Sequence, residues 1–160
     1  MKDWQIIYNE NKKLDKKFFD LYGNDIDYDK KNKIELLVEI GEMVNESRIF
    51  KYWSDKKVNY EALLMEYADC LMMILYFFNY FDISLDEEFN DIEDLSILDL
   101  IGKIYQLSSN FYSDSNRELI KEIAVYFNDL GYKLGFNDDD IINTCLEKMK
   151  INFKRFEEGF

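Results

Sequence analysis

Residues 62–78, ALLMEYADCLMMILYFF, form the most apolar stretch of the chain, and only Glu66 and Asp69 carry charge within it. A membrane span needs about 20 mostly uncharged residues, so this shorter, doubly charged segment is typical of a helix buried in a protein core. The 160 residues contain no proline and only six glycines, which leaves little to interrupt long helices. The sequence therefore predicts an all-α fold with this helix at its centre.

Apolar periodicity and the few helix-breaking residues divide the chain into predicted helices. Six are expected, over residues 3–22, 31–52, 59–81, 95–112, 116–134 and 138–157. Gly23 and Gly135 are expected to end the first and fifth helices, and Ser115 with Glu118 predicts a capping box at the start of the fifth. Asn137 is a good cap for the sixth helix.

The acidic residues 82–94 predict a long surface connection between the third and fourth helices. The chain shows no internal repeat and no interdomain linker. With 160 residues, 48% of them apolar, it is large enough to bury a sizeable core. We therefore expect a single helical domain over residues 1–160.

Composition excludes several classes of function. The formal net charge of -13 would repel a nucleic-acid backbone or an anionic membrane surface, so neither is an expected partner. The absence of histidine excludes Ser-His-Asp and Cys-His catalysis and zinc sites with histidine ligands. Cys70 and Cys145 are expected to be buried thiols of a reduced, cytoplasmic protein, and the first residues lack the apolar core of a signal peptide. Any chemistry must use carboxylates, lysine, tyrosine or a metal.

The second predicted helix carries a stripe of carboxylates. Its members are Glu35, Glu39, Glu42 and Glu46. At about 100° of turn per residue they fall within a sector of roughly 60°, while apolar residues occupy most of the remaining surface. Like charges at this spacing repel, so helix stability does not favour the stripe. It is either a solvated acidic face or part of a functional site.

The third predicted helix favours the functional alternative. Glu66 and Asp69 lie three residues apart on an otherwise apolar surface, and buried unpaired carboxylates cost several kcal/mol each. No Lys or Arg lies between Lys57 and Lys103, so a neutralising cation must come from elsewhere. Two helices that each carry such an acidic pair can surround a divalent ion. Oxygen ligands without His or Cys select magnesium or manganese.

The order of these motifs resembles a known family. Glu39-x-x-Glu42 is followed by Asn45-Glu46, by Phe50-Lys51-x-Trp53 and by Glu66-x-x-Asp69. This pattern is similar to the dimeric all-α dUTPase family, within the wider all-α nucleoside triphosphate pyrophosphatases that include the MazG-like enzymes. Residues 147–160 resemble the closing motif of the same family, so the likeness covers nearly the whole chain. It implies magnesium-dependent hydrolysis of dUTP to dUMP and pyrophosphate, with dUDP as a further substrate.

The resemblance also implies roles for individual residues. The metal ligands would be Glu39, Glu42, Glu66 and Asp69. Glu39 or Glu42 would be the catalytic base that takes a proton from the attacking water, and the sequence does not choose between them. Magnesium suits so acidic a protein, because it neutralises the triphosphate that the chain would otherwise repel.

Substrate-binding residues follow from the same resemblance. Lys148, Asn152 and Arg155 would lie near the phosphates, although a solvated basic end of the last helix is the simpler alternative. Lys51 and Trp53 would also bind the nucleotide, with Trp53 near the uracil or, alternatively, a partly buried aromatic residue.

Two positions depart from the family pattern and leave the strictness of uracil selection open. Asn11 stands three residues before the pair Leu14-Asp15, where the family tends to have Gln, and offers the same amide on a shorter arm. Met149 follows Lys148 where the family usually has Asn. An enzyme of the same superfamily that prefers dCTP or a modified pyrimidine therefore remains an alternative, as does a non-enzymatic acidic protein that binds another protein.

A homodimer is expected for two reasons. The family is dimeric, and bulky apolar residues surround much of the third and fourth helices, notably over residues 71–78 and 95–107. A domain of this size has few positions for helices buried on every side, so part of this surface should close against a second copy. The basic end of the last helix, with Lys148 and Arg155, is then expected to serve the partner's site.

Overall fold

A computed structural model describes residues 4–159, and this part of the chain is all-α, as predicted. It contains six helices and no strand. They are α1 (Gln5–Tyr22), α2 (Tyr28–Ser47), α3 (Tyr60–Tyr80), α4 (Ile97–Ser113), α5 (Arg117–Lys133) and α6 (Asp138–Glu158). The predicted first helical residue, Asp3, and the final residue of the expected domain, Phe160, lie outside the described residues.

Helix α3 is the central element of the fold. It packs against α1, α2, α5 and α6, while α4 packs against α2 and α5. Its apolar residues from Leu71 to Phe78 are therefore covered almost entirely within one chain: Leu71, Ile74, Leu75 and Phe78 are all at most 1% exposed. This corrects the expectation that residues 71–78 need a second copy to cover them. Cys70 and Cys145 are buried free thiols, as predicted.

Helix α2 ends at Ser47, earlier than the predicted residue 52. The Ser47 hydroxyl donates a hydrogen bond to the Val44 carbonyl at 2.6 Å, and Arg48 takes a left-handed conformation with φ 57°. The guanidinium of Arg48 then donates to the Ser54 hydroxyl at 2.6 Å, which holds the following loop. Lys51 therefore lies in a loop and not at the end of a helix.

The predicted capping box at α5 is wrong by one residue. Asn116 is the N-cap, and its side chain accepts a hydrogen bond from the Leu119 N–H at 2.9 Å. Ser115 instead donates to the Phe111 carbonyl at 2.8 Å, so its hydroxyl satisfies the end of α4. The predicted cap of α6 is confirmed, because Asn137 accepts from the Asp140 N–H at 2.8 Å.

The segment between α3 and α4 is the long connection predicted for residues 82–94, and it is attached to α5. Glu87 pairs with Arg117 at 2.7 Å and with Lys121 at 3.2 Å, while Lys133 pairs with Asp94 at 2.6 Å. Among the described residues, none of the helices is long and apolar enough to cross a membrane.

Candidate metal and nucleotide site

Three of the predicted ligands converge where α2 packs against α3. Glu39, Glu42 and Glu66 each present a carboxylate oxygen, and these oxygens all lie within 4.8 Å of one another. Oε2 of Glu39 is buried and has no hydrogen-bond partner among residues 4–159. No Lys or Arg in the described part of the chain forms an ion pair with any of the three. The three carboxylates, hereafter the carboxylate cluster, therefore provide a set of hard oxygen donors that no described basic side chain pairs with.

The electrostatics of the carboxylate cluster reflect burial and repulsion between like charges. Burial, with repulsion from Asp69, Glu42 and Glu35, raises the pKa of Glu39 to about 8. Burial followed by repulsion from Asp69 also raises the pKa of Glu66. In both residues the ionised form is disfavoured, and a bound divalent cation would lower both pKa values. The residues present thus fit a divalent metal ion.

Asp69, the fourth predicted ligand, is directed to another partner. Its Oδ2 accepts a hydrogen bond from Nζ of Lys148 on α6 at 2.6 Å. Burial still raises the pKa of Asp69, although Lys148 offsets part of the effect. Lys148 of α6 thus supplies part of the positive charge that was expected to neutralise the carboxylates of α3.

A cavity of about 490 Å³ adjoins the carboxylates and extends toward α1. Residues from α1, α2, α3 and α6 line it: Asn11, Leu14, Asp15, Phe18, Tyr28, Asn32, Glu35, Glu39, Met65, Asp69, Met72, Met73, Tyr76, Lys148, Ile151, Asn152 and Arg155. Glu39 and Asp69 share this wall with the predicted phosphate-binding residues Lys148, Asn152 and Arg155. The arrangement places cationic and anionic groups around a volume suited to a nucleotide.

Asn11 is the most buried polar residue of the cavity wall, at 1% exposure. Its Nδ2 donates to the Met72 carbonyl on α3 at 3.0 Å, and both carboxylate oxygens of Asp15 lie 3.4 Å from the same nitrogen. Within the described residues, Oδ1 of Asn11 accepts no hydrogen bond, and it is not enclosed. The Asn11 amide is therefore held through its nitrogen, while its oxygen has no hydrogen-bond donor among the described residues.

A protein-family model described as dUTPase matches residues 3–160. The chain belongs to the dUTPase family. Its activity is therefore that of a dUTP diphosphatase, a hydrolase that acts on an acid anhydride of a nucleotide. No curated protein sequence shows significant similarity to it.

Two predicted substrate-binding residues of this dUTPase family member lie away from the cavity. Trp53 is 65% exposed and contacts Phe50 and Tyr52 edge to face, with ring centroids 5.9 and 5.2 Å apart. Nζ of Lys51 lies 5.7 Å from the Phe50 ring. Neither Lys51 nor Trp53 lines the cavity of its own chain.

The basic end of α6 is also placed differently from the expectation. Lys148 and Arg155 line the cavity of their own chain, whereas the sequence predicted that they serve the partner's site. Met149 is 2% exposed and belongs to the core, so its departure from the dUTPase family pattern is accommodated by packing.

Sequence reasoning missed several cavity residues on α1, α2 and α3. These are Asp15, Phe18, Tyr28, Asn32 and Tyr76, whereas Glu35 belongs to the carboxylate stripe that the sequence had already indicated. Helical spacing was a usable signal, because Tyr28, Asn32 and Glu35 precede Glu39 at intervals of four, three and four residues and so share its face. Nδ2 of Asn32 donates to the Tyr76 hydroxyl at 3.1 Å, a link between α2 and α3 that the sequence does not reveal.

Proposed function

We propose that the cavity binds dUTP with its triphosphate beside the carboxylate cluster and its uracil at Asn11, and that magnesium is the metal of the reaction. The observation that carries this proposal is the buried, unpartnered Oε2 of Glu39 at the wall of a 490 Å³ cavity. A buried carboxylate oxygen without a donor is costly unless a cation or a ligand completes it. The hydrolysis products are dUMP and pyrophosphate, and dUDP is a further proposed substrate.

Glu39, Glu42 and Glu66 would hold the divalent cation, and Asp69 would join them when Lys148 turns toward the phosphates. The oxygen-only donor set favours magnesium, with manganese as a substitute. Once bound, the cation neutralises triphosphate charge and lowers the pKa of water.

Residues of the chain then position and deprotonate the attacking water. Glu39 or Glu42 takes its proton. Lys148, Asn152 and Arg155 come from one face of α6 and bind phosphate oxygens, which concentrates positive charge where negative charge develops during the reaction. Hydrolysis by a water molecule that these residues position and deprotonate needs no covalent nucleophile.

Uracil selection is proposed to begin at Asn11. Because Nδ2 is engaged by the Met72 carbonyl, Oδ1 is the atom that faces a bound base. Oδ1 accepts a hydrogen bond from N3–H of uracil, whereas N3 of cytosine carries no hydrogen and would repel it. A site built to hydrogen-bond one substrate group strongly rejects an analogue that lacks it.

A homodimer is proposed on a different surface from the one the sequence favoured. Ile34 and Val38 on α2 are 47% and 50% exposed, and Phe50 and Trp53 on the following loop are 43% and 65% exposed. A second copy would cover these apolar side chains. It would also bring Lys51 and Trp53 against a partner, where they could reach that partner's nucleotide. Location in the cytoplasm stays a prediction.

Pyrophosphate release from a panel of dUTP, dCTP, dTTP and dATP tests the proposal, with magnesium, manganese or a chelator present. We expect release from dUTP with magnesium, weaker release with manganese and none with the chelator. Preference for dCTP would favour the alternative base specificity. Failure to hydrolyse any nucleotide would contradict the proposal and favour the non-enzymatic alternative.

A further inference from the structure

Asp15 lines the end of the cavity beside Asn11, one helical turn further along α1. No Lys or Arg of the described residues pairs with it, and its neighbours at the cavity wall include Leu14 and Met72. The Asn11 amide nitrogen lies 3.4 Å from either oxygen, which is a weak contact. Asp15 therefore presents, at the proposed base end, a carboxyl group that no Lys or Arg of the described residues neutralises.

The protonation of this carboxyl group is set by its surroundings. Burial raises the pKa of Asp15 to about 7, and hydrogen bonding from Asn79 on α3 offsets only part of the shift. Other titratable groups face it from each packed element: Tyr8 on α1, Tyr28 and Glu35 on α2, Asp69 and Tyr76 on α3, and Lys148 and Arg155 on α6. Burial, and not a neighbouring charge, is therefore the main cause of the raised pKa of Asp15. Near neutral pH, both the acid and the carboxylate forms of Asp15 are populated.

We propose that Asp15 is a specificity-determining residue that reads the 4-position of the pyrimidine. The inference rests on the proposed function. As an acid, Asp15 donates a hydrogen bond to the 4-keto oxygen of uracil. As a carboxylate, it only accepts, so it repels that oxygen and instead favours the 4-amino group of cytosine.

The position of Asp15 next to Asn11 supports this division of roles. Residues four apart on a helix have neighbouring side chains, and N3 and the 4-substituent are neighbouring atoms of a pyrimidine edge. With Oδ1 of Asn11 at N3–H, the carboxyl group one turn along the same face is the nearest group for the 4-substituent. Base preference then depends on the proton carried by Asp15, so discrimination against dCTP weakens as pH rises.

The test is the ratio of kcat/KM for dUTP to that for dCTP, measured with magnesium between about pH 6 and 8. The ratio cancels the pH dependence of folding, metal binding and the chemical step, which both substrates share. For the unmodified protein we expect it to fall by at least about tenfold, because a group with a pKa near 7 changes from mostly protonated to mostly ionised over this range. Asp15→Asn does not titrate, so its ratio should be independent of pH.

A matched control is Asp20→Asn, an exposed carboxylate on the same helix that pairs with Lys16. It should retain the fall of the unmodified protein. Inhibition of dUTP hydrolysis by dUMP and dCMP provides a second readout that needs neither dCTP turnover nor a folded variant. As pH rises, inhibition by dCMP should strengthen relative to inhibition by dUMP.

Three results separate the possible failures. Loss of all nucleotide hydrolysis would overturn the proposed function itself. Hydrolysis of dUTP with constant ratios of both kcat/KM and inhibition would overturn only the role of Asp15. A fall in the ratio that persists in folded Asp15→Asn, as judged by its helical circular dichroism, would assign the effect to another residue and also refute the inference.

Discussion

Nζ of Lys148 lies 2.6 Å from Oδ2 of Asp69, and the two side chains are only 19% and 21% exposed. A cationic side chain of α6 thus forms an ion pair with one of the four carboxylates that the sequence predicted to be metal ligands. Such partly buried pairs leave a costly unpaired charge when one partner is removed.

Replacement of Lys148 tests this relationship. We expect Lys148→Gln to lower kcat/KM for dUTP by about tenfold or more, because phosphate charge loses a counterion. The same variant should bind magnesium more tightly without nucleotide, since Asp69 is released for the metal, and calorimetric titration measures this. Lys150→Gln removes an exposed charge from the same helix and is the control. Equal magnesium affinity of the two variants would contradict competition between Lys148 and the metal.

Removal of a proposed ligand should separate activity from folding. Glu39→Gln and Asp69→Asn are each expected to abolish pyrophosphate release while the helical circular dichroism is retained. Glu39→Gln should also raise the thermal unfolding midpoint of the metal-free protein, because it removes a carboxyl group whose ionised form is disfavoured by burial and by repulsion from Asp69 and Glu42. Glu157→Gln, on the exposed end of α6, should change neither property. Full activity of both ligand variants would rule out the metal site.

Magnesium should stabilise the native protein. The carboxylate cluster exists only in the folded state, so millimolar magnesium should raise the unfolding midpoint more than sodium chloride at matched ionic strength. Differential scanning fluorimetry measures the shift, and Glu39→Gln should reduce it. Identical shifts with the two salts would indicate general screening of the net charge of -13.

Stability of the metal-free protein should fall as pH rises. Burial raises the pKa of Asp15 from 3.8 to about 7, and that of Glu39 from 4.5 to about 8. Each neutral acid therefore favours the folded state fully below its unfolded pKa, and this contribution is lost as pH rises from about 4 through the folded values. Unfolding by urea at pH 5 and pH 8.5 should show the decrease, and Asp15→Asn should make it smaller. An unchanged pH dependence in that variant would contradict the burial of an ionisable Asp15.

Oligomeric state can be examined together with the origin of each site residue. Light scattering should give about twice the 19.4 kDa of one chain, and a mass near 19.4 kDa would refute the dimer. A mixture of Glu39→Gln and Arg155→Ala chains should stay inactive, because both residues line the cavity of one chain. A mixture of Glu39→Gln and Trp53→Ala chains should recover activity if Trp53 serves the partner.

The helices were predictable because apolar periodicity and scarce helix breakers dominate this sequence, but their ends depend on local contacts. Ser47 and Arg48 end α2 through a hydrogen bond and a left-handed residue, which periodicity does not encode. The acidic pairs that begin with Glu39 and Glu66 were recognisable in the sequence, because helix stability does not favour such groups of like charges. The Lys148 contact joins residues far apart in the sequence, and the engagement of Asn11 by the Met72 carbonyl depends on packing between α1 and α3. Neither follows from spacing along one helix.

The placement of Glu66 and Asp69 on the central helix α3 affects how the protein loses its ligands. One face of α3 carries these carboxylates, and the others are enclosed by α1, α2, α5 and α6. Segments buried in this way exchange their amide hydrogens only in the rarest, most global openings. Half of the proposed metal ligands are thus attached to a segment that we expect to open last. Fraying of α1 or α6 would disturb the proposed nucleotide contacts while the acidic residues of α3 kept their positions.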